Sequence, residues 1–209
     1  MLQQASTYFD SARLRFYHRA RKPRRCGHPW SSVPTTPHPS RAPGDPAAAI
    51  DETALRDALA QFATGVTIIC AHAGESRYVG FTANSFNAVS LSPPLILWSL
   101  AHRSRSLATF NHAERYVVNV LSTSQIELAR RFSRPHADRF AGVEFALGWA
   151  DAPRIAGCVA WLECRHHAQM RAGDHEIFVG HVVTCARGAG EGLVFAGHRF
   201  AVAKAIDET

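Results

Sequence analysis

The stretch from Gly80 to Trp98, GFTANSFNAVSLSPPLILW, mixes strand-forming residues with small polar side chains. Apolar, β-prone residues run through it, and hydroxyl and amide groups interrupt them, first at Thr82, Asn84 and Ser85. Two consecutive prolines at 93–94 exclude a continuous central strand and predict an extended corner. Two hairpin strands joined by a polar turn would also account for this pattern. The density of small polar groups beside the backbone favours a surface that holds a flat ligand with a polar edge.

A second chemically promising run is His102–Ser106, HRSRS. A phosphate group requires a cation and clustered hydrogen-bond donors at a loop or at the start of a helix. The two arginines and two serines of this run precede a short predicted helix, so they could supply both. A solvated charged loop would fit the two arginines equally well.

The histidine-containing segments fall into two groups: one turn that is a candidate for ligand binding, and several positions that are expected to be structural. In Gly173–His175, GDH, the glycine permits close approach to a ligand and the imidazole can stack on it or hydrogen-bond to it, although the tripeptide is also a common turn. By contrast, His166, His167 and His181 alternate with apolar residues and have no carboxylate at ligand spacing. We interpret them as structural and predict no metal site.

The glycine cluster at 188–192, GAGEG, is a weak candidate for a nucleotide-binding loop. Its spacing departs from GxGxxG, and no helical pattern follows it. The cluster therefore predicts a hairpin turn.

Two helices flank the predicted strands. The first is capped by Asp51, presents Leu55 and Leu59 at helical spacing, and is expected to end at Gly65. The second begins with a potential capping box formed by Ser122 and Gln125. This second helix is expected to end near residue 133.

The remaining segments read as short strands and loops. A hairpin is predicted around the polar turn at 72–77. The apolar residues of 134–151 follow neither a helical nor a strand period, so this segment predicts a long loop. Further strands are predicted at 116–121, 158–167, 175–185 and 193–201. Many short strands with few helices favour a closed antiparallel barrel over alternating βαβ units.

Length, composition and charge limit the classes of protein to which this chain can belong. The 209 residues, 46% of them hydrophobic, suffice for one domain with a sizeable core. The net charge of +6 lies in residues 1–46, which hold eight Lys/Arg against two Asp, whereas the rest of the chain balances 15 basic with 15 acidic residues. Because the core is near neutral, we expect no nucleic-acid binding.

The basic N-terminal segment has the composition of a disordered tail. Residues 1–46 combine arginine clusters with seven prolines, so they cannot bury enough apolar surface to offset the entropy of ordering. A basic arm for nucleic acid, a transit-like sequence, or an extension from a misassigned start codon would look the same.

Cysteine use and hydropathy indicate a cytoplasmic protein. Five widely spaced cysteines without a CxxC pair argue against a disulfide framework and a zinc site, so four of them are expected to be reduced core residues in strands. No apolar run reaches the roughly 20 residues that span a bilayer, and no secretory signal is present. We therefore expect no membrane association.

Taken in order, three of these segments resemble one family. The run Phe62–Ile68, FATGVTI, the 80–98 stretch and Gly173–His175 are similar to the flavin reductase family, and the similarity extends from about Leu55 to Phe200 without large gaps. The resemblance implies a mainly β fold, the FMN-binding split barrel, an antiparallel Greek-key barrel with two or three helices. This barrel would occupy 47–209, after the disordered tail.

The resemblance also implies an activity and partners. Members of this family transfer a hydride from NADH or NADPH to FMN or FAD, often to supply reduced flavin to a separate flavin-dependent monooxygenase. A homodimer is expected, because the family's flavin site draws on both subunits. Both cofactors carry the reactive atoms, so the protein contributes mainly positioning.

Site residues follow from the same resemblance. Flavin contacts are implied for Thr82, Ala83, Asn84, Ser85, Ala101, Arg103, Ser104, Ser106, Phe132, Arg139 and Phe140. Nicotinamide contacts are implied for Gly173, Asp174 and His175, with His175 the best candidate for direct participation and Asp174 orienting it. Two alternatives remain open. The first is a flavin-binding protein or a flavin-dependent oxygenase on the same barrel. The second is a nucleic-acid binder with a basic arm.

Overall fold

The computed structural model of the chain describes residues 50–75, 77–135 and 138–206. The predicted disordered tail, residues 1–46, lies outside these ranges. The helices of the described part are α1 (Glu52–Ala60), α2 (Leu107–His112), a 3-10 turn (Thr123–Gln125) and α3 (Ile126–Ser133). Its strands are β1 (Thr64–Gly65), β2 (Thr67–His72), β3 (Tyr78–Ala83), β4 (Asn87–Leu91), β5 (Pro94–Ala101), β6 (Arg115–Val120), β7 (Phe145–Leu147), β8 (Pro153–Ile155), β9 (Ala160–Ala172), β10 (His175–Arg187), β11 (Leu193–Ala196) and β12 (Arg199–Val202).

Seven of these strands form one antiparallel sheet in the order β3-β2-β6-β9-β10-β5-β4. The sheet rolls up, because Phe81 of the edge strand β3 packs against Trp98 of β5, near the opposite edge, with ring centroids 5.6 Å apart. Trp98 in turn stacks on Phe178 of β10 at 4.2 Å. The seam lies between β3 and β4, which are consecutive in the chain. The predicted mainly β, antiparallel split barrel with a few helices is therefore confirmed.

Strand β2 separates two cores, which explains why its sequence is apolar without alternation. Ile69 and Ala71 face the aromatic core inside the barrel. Ile68 and Cys70 face a second core, which α3 closes with Ala129 and Phe132. Both faces of the strand are therefore buried.

Several local predictions are confirmed by their hydrogen bonds. The Asp51 carboxylate accepts from the backbone N–H groups of Thr53 and Ala54 at the start of α1. The capping box is formed, and the Ser122 N–H donates to Gln125 Oε1 over 3.0 Å. The hairpin predicted around 72–77 joins β2 and β3.

Other predictions of local structure are wrong, for identifiable reasons. The first helix ends at Ala60, because Thr64–Gly65 pairs with β11 as strand β1. The loop at 134–151 contains β7, whose partner β8 lies beyond it in the sequence. The run 193–201 is broken by a turn at 197–198. The glycine cluster at 188–192 connects two different sheets, so it is not a hairpin turn.

The cysteines of the described residues divide by exposure. Cys70, Cys158 and Cys164 are buried free thiols, as predicted, whereas Cys185 on β10 is exposed and is not the core residue that we expected. Burial raises the pKa of Cys158 and Cys164 to about 12 and the pKa of Cys70 well above its ordinary value. Because the thiolate is the reactive form, the three buried thiols are protected twice, by burial and by protonation.

We therefore expect iodoacetamide at pH 8 to alkylate Cys185 in the folded protein at least about 100 times faster than Cys70, Cys158 or Cys164. Peptide mass spectrometry with and without urea measures the four rates. Rapid labelling of any buried thiol in the native protein, at a rate insensitive to urea, would contradict this assignment.

Candidate functional site

The two candidate turns, 102–106 and 173–175, meet at one end of the barrel although about 70 residues separate them. Strands β5 and β10 pair so that Ala101 lies opposite His175. The backbone N–H of His102 then donates to the carbonyl of Asp174 over 2.9 Å, which extends the ladder by one bond beyond the strand. The pairing of β5 with β10 therefore builds a composite site from two distant segments.

His175 is held by its neighbour Asp174. Gly173 has a φ of +59°, a left-handed conformation that glycine adopts at little cost, and it allows the tight turn between β9 and β10. His175 Nδ1 lies 2.7 Å from Asp174 Oδ1, and this hydrogen bond is the first cause that holds the pKa of Asp174 below its usual value. An ionised carboxylate only accepts, so the Nδ1 atom carries the proton, and the His175 side chain is 43% exposed. This geometry fits an orienting role for Asp174.

Arg103 belongs to the same corner, because it also contributes to the lowered pKa of Asp174. Ser104 shapes the turn itself: its N–H donates to the carbonyl of Ala101, and its hydroxyl accepts from the N–H of Ser106 over 3.3 Å. The predicted residues of this segment therefore have different positions. Arg103 lies on the side of the 173–175 turn, and Ser104 stabilises the loop.

The hydroxyl groups of the 82–85 stretch already have partners within the protein. Thr82 Oγ1 donates to the carbonyl of Ala129 in α3 over 2.6 Å. Ser85 Oγ accepts from the N–H of Ser99 on β5 and donates to its carbonyl, over 3.0 and 3.1 Å. Ala83 is buried, whereas Asn84 is exposed. The groups left for a ligand are the Asn84 side chain and the backbone of residues 84–85, which belongs to no strand.

The 82–85 stretch lies at the same end of the barrel as His175. Ser85 contacts Ser99, and Ser99 precedes Ala101 by two residues, or about 7 Å along a strand. Because Ala101 is opposite His175, the Asn84–Ser85 segment and His175 belong to the same end of the barrel. The ligand contacts assigned to these residues from the sequence stay predictions.

A cavity of about 210 Å³ opens between β3, the start of α2 and the segment after α3. It is lined by Tyr78, Val79, Gly80, Arg105, Ser106, Pro135, Asp138, Arg139 and Phe140. Arg105, Arg139 and Ser106 among these residues are of the types that hold an anion such as phosphate, and the carboxylate of Asp138, which accepts from the Phe140 N–H, partly offsets their charge. It is smaller than the roughly 300–1,000 Å³ of a complete small-molecule pocket, so it has room for a group the size of a phosphate but not for a whole dinucleotide.

Arg105 is a charged cavity residue that the sequence analysis did not select. In the run HRSRS the two arginines are equivalent by composition, and we selected Arg103. The turn separates them, with Arg103 near Asp174 and Arg105 lining the cavity. The sequence offered one signal for this difference: Arg103 and Arg105 are two positions apart, and residues at that spacing in a turn need not face the same side.

Arg139 and the aromatic residues around it form the wall of the cavity. Arg139 Nη1 donates to the carbonyl of Gly80 over 2.8 Å, and its Nε and Nη2 donate to the carbonyl of Arg134. Partial burial lowers the pKa of Arg139. Phe140 packs edge-on against Phe132, which is only 1% exposed. Phe132 therefore offers a ligand almost no surface of its own and instead supports Phe140.

Gly80 makes this packing possible. A Cβ atom at this position would lie 2.8 Å from Phe132 Cε1 and 3.1 Å from Phe140 Cζ. The absence of a side chain on β3 therefore lets α3 and the 139–140 segment approach the strand closely.

The described ranges contain neither a candidate metal centre nor a candidate membrane-spanning helix. Among these residues, no group of three or more His, Cys, Asp or Glu side chains could hold a metal ion. None of the helices in the same ranges combines the length and apolar character needed to cross a membrane.

The fold and the site define a split-barrel protein with a cavity lined by two arginines and a partly exposed histidine turn. Residues 59–204 match the family model described as flavin reductase like domain. The chain therefore belongs to the flavin reductase like family.

Known proteins of similar sequence support this assignment. A probable flavin reductase of Rhizobium meliloti is 43% identical over 146 residues, which is 70% of this chain and 47% of that protein. A stachydrine N-demethylase reductase subunit of the same species is 42% identical over 146 residues, 70% of this chain and 64% of that protein. The chain thus spans about half to two thirds of the length of these relatives.

A solved structure agrees with the fold. The Streptomyces globisporus NADH:FAD oxidoreductase in complex with NAD and FAD fragments superposes with a TM-score of 0.69 at 41% identity, covering 73% of this chain and 92% of that one.

Proposed function

We propose that this chain is a flavin reductase that oxidises NADH or NADPH and reduces FMN or FAD. The observation that carries the proposal is the junction of β5 and β10, which places the Asp174–His175 turn beside the loop that leads to the arginine-lined cavity. When bound, a reduced nicotinamide supplies a hydride to the flavin ring. The protein's own task is then to hold the two ligands in contact and exclude water.

Each part of the site has a task in this proposal. Arg105, Arg139 and Ser106 hold the phosphate of the flavin, and the backbone of Asn84 and Ser85 hydrogen-bonds its polar edge. His175, oriented by Asp174, contacts the nicotinamide. Thr82, Ala83, Ala101, Ser104, Phe132 and Phe140 shape these surfaces.

The decisive experiment follows nicotinamide oxidation at 340 nm with FMN and FAD supplied separately to the purified full-length chain. We expect turnover that depends on added flavin, with NADH the preferred donor because the Streptomyces globisporus relative is named for it. Flavin that stays bound through purification, without nicotinamide oxidation, would instead indicate the alternative, a flavin-binding protein or an oxygenase.

Arg105→Ala should raise the KM for flavin about 5- to 20-fold, because a charge-assisted contact to phosphate contributes on the order of 1–2 kcal/mol. The KM for the nicotinamide at saturating flavin should stay within about two-fold of the wild-type value. The matched control is Arg56→Ala, which removes an arginine from an exposed pair on α1. Equal effects of the two substitutions would contradict the assignment of the cavity to phosphate.

We further propose that the chain works in the cytoplasm as a homodimer and passes reduced flavin to a separate monooxygenase. The edge strand β4 exposes Val89 (49%) and Leu91 (95%), and an exposed apolar edge supports self-association. One relative is named as a reductase subunit. Sedimentation velocity of the full chain tests the dimer, and a monomer at micromolar concentration would refute it.

A further inference from the structure

Glu176 is a nearly buried carboxylate that the proposed function does not use. Its side chain is 15% exposed, and it directly follows His175 on β10. Successive side chains of a strand point to opposite faces, so Glu176 lies on the face of the buried Leu100, its partner on β5, while His175 lies on the other face. An apolar residue would be the default at this position, because burying a carboxylate is costly without a partner.

The partner of Glu176 is His102, at the start of the 102–106 turn. Glu176 Oε2 lies 3.3 Å from His102 Nε2, and the His102 side chain is 26% exposed. An ionised carboxylate only accepts, so His102 Nε2 donates. Glu176 takes this partner although Arg171 is its direct cross-strand neighbour on β9.

His102 thereby holds the chain on both sides of His175. Its backbone N–H donates to the carbonyl of Asp174, and its ring donates to the side chain of Glu176. One residue of the 102–106 turn therefore contacts the residue before the candidate nicotinamide histidine and the residue after it.

The two turns differ in how they are fixed. The 102–106 turn is anchored on its own segment, since the Ser104 N–H donates to the Ala101 carbonyl and the Leu107 N–H donates to the Ser104 carbonyl. The 173–174 turn lies outside the strands, and its hydrogen bond to the other turn is made through His102. Loss of the His102–Glu176 contact should therefore displace the 173–175 turn more than the 102–106 turn, which belongs to the proposed flavin site.

We propose that His102 and Glu176 are a positioning pair that sets the placement of His175 relative to the flavin site. The inference rests on the proposed function, because it assigns to His175 a contact with the nicotinamide. Neither residue of the pair touches the reacting atoms; both act through the placement of the 173–175 turn. Misplacement by a fraction of an ångström to 1 Å is enough to reduce the rate of a transfer between two stacked rings.

The kinetic test uses Glu176→Ala, His102→Ala, the double variant and Glu176→Gln in the full chain. We expect each single alanine variant to raise the KM for NADH about 5- to 10-fold and to lower kcat at least about 3-fold, with the Kd for oxidised flavin within about two-fold of wild type. The double variant should show changes in KM and kcat no larger than those of either single variant, because the two residues form one contact. Glu176→Gln keeps an acceptor oxygen and should retain near wild-type KM.

The matched control is Asp57→Ala. Asp57 also forms a histidine–carboxylate contact, to His198 Nε2 over 3.0 Å, but it joins α1 to the β11–β12 turn and not to either turn of the site. Asp57→Ala should leave both KM values unchanged. A Glu176→Ala variant with lowered Tm and wild-type KM and kcat would overturn the proposal, as would equal losses in NADH KM and flavin Kd.

A second readout separates this inference from the proposed function. In the flavin-free protein, Glu176→Ala should shift the imidazole NMR resonances of His175, whereas Asp57→Ala should not. If the wild type fails to oxidise either nicotinamide but this shift occurs, the proposed function is wrong and the placement of His175 by the pair still holds. If the wild type is active and His175 does not shift, the positioning pair is refuted.

Discussion

His175→Ala should raise the KM for reduced nicotinamide about 10- to 50-fold while the Kd for oxidised flavin stays within about two-fold of the wild-type value. The imidazole is partly exposed and oriented by a 2.7 Å hydrogen bond to Asp174, so its removal takes away a prepared contact surface. The flavin is assigned to other groups, Arg105, Arg139 and the Asn84–Ser85 backbone, which this substitution does not touch. Steady-state kinetics with varied NADH and flavin titrations by fluorescence measure the two constants.

His167→Ala is the matched control for this prediction, because His167 is an exposed histidine on β9, in the same sheet. Its kinetic constants should not change. An equal loss of nicotinamide and flavin affinity in His175→Ala would show that the histidine belongs to the flavin site or supports the fold. A variant with unchanged constants would remove the 173–175 turn from the site.

Local signals in the sequence predicted the elements that depend on neighbouring residues. The cap at Asp51, the capping box at Ser122 and Gln125, and the hairpin at 72–77 each depend on contacts within a few positions, and all three are present. The pairing of β1 with β11 depends on residues about 130 positions apart, and no local period marks it. The helix end was misplaced for that reason.

In the candidate site, too, local sequence predicts some features and only the fold decides the others. The residue types of the 102–106 and 173–175 segments indicated anion binding and an oriented histidine, but the register of β5 against β10 decides that they meet. The roles of Thr82 and Ser85 also depend on tertiary contacts, since Ala129 and Ser99 take up their hydroxyl groups. A sequence shows that a stretch is polar, and only the fold shows which polar groups are already bonded.

Asn119 is the clearest residue that sequence reasoning overlooked. It occurs within the apolar strand β6, YVVNV, where a single amide carries no pattern of its own. In the structure it is fully buried, and its Nδ2 donates to the carbonyls of Ile68 and Pro153 over 3.0 and 3.2 Å. Its Oδ1 accepts from the N–H of Ile155 over 2.8 Å. One side chain therefore connects β2, β6 and β8.

Asn119→Leu should lower the free energy of unfolding by about 3–5 kcal/mol, because leucine leaves three backbone partners buried and without a hydrogen bond. Asn119→Asp should be at least as damaging, since a carboxylate cannot donate to the two carbonyls and its negative charge would face the negative ends of their dipoles. Urea denaturation followed by tryptophan fluorescence measures both. The control is Asn111→Ala on the exposed face of α2, which should change stability by no more than about 0.5 kcal/mol.

The location of the damage separates this explanation from a general loss of core packing. Two of the three hydrogen bonds that the Asn119 side chain makes with backbone groups end on β8, at Pro153 and Ile155, so β8 should detach from the barrel first. Hydrogen exchange of the Ile155 amide should then accelerate well before that of Phe178, which lies in the aromatic core. Uniform acceleration at both amides would mean that the substitution acts by packing alone. A leucine variant as stable as the wild type would mean that bound water replaces the amide and that β8 does not depend on Asn119.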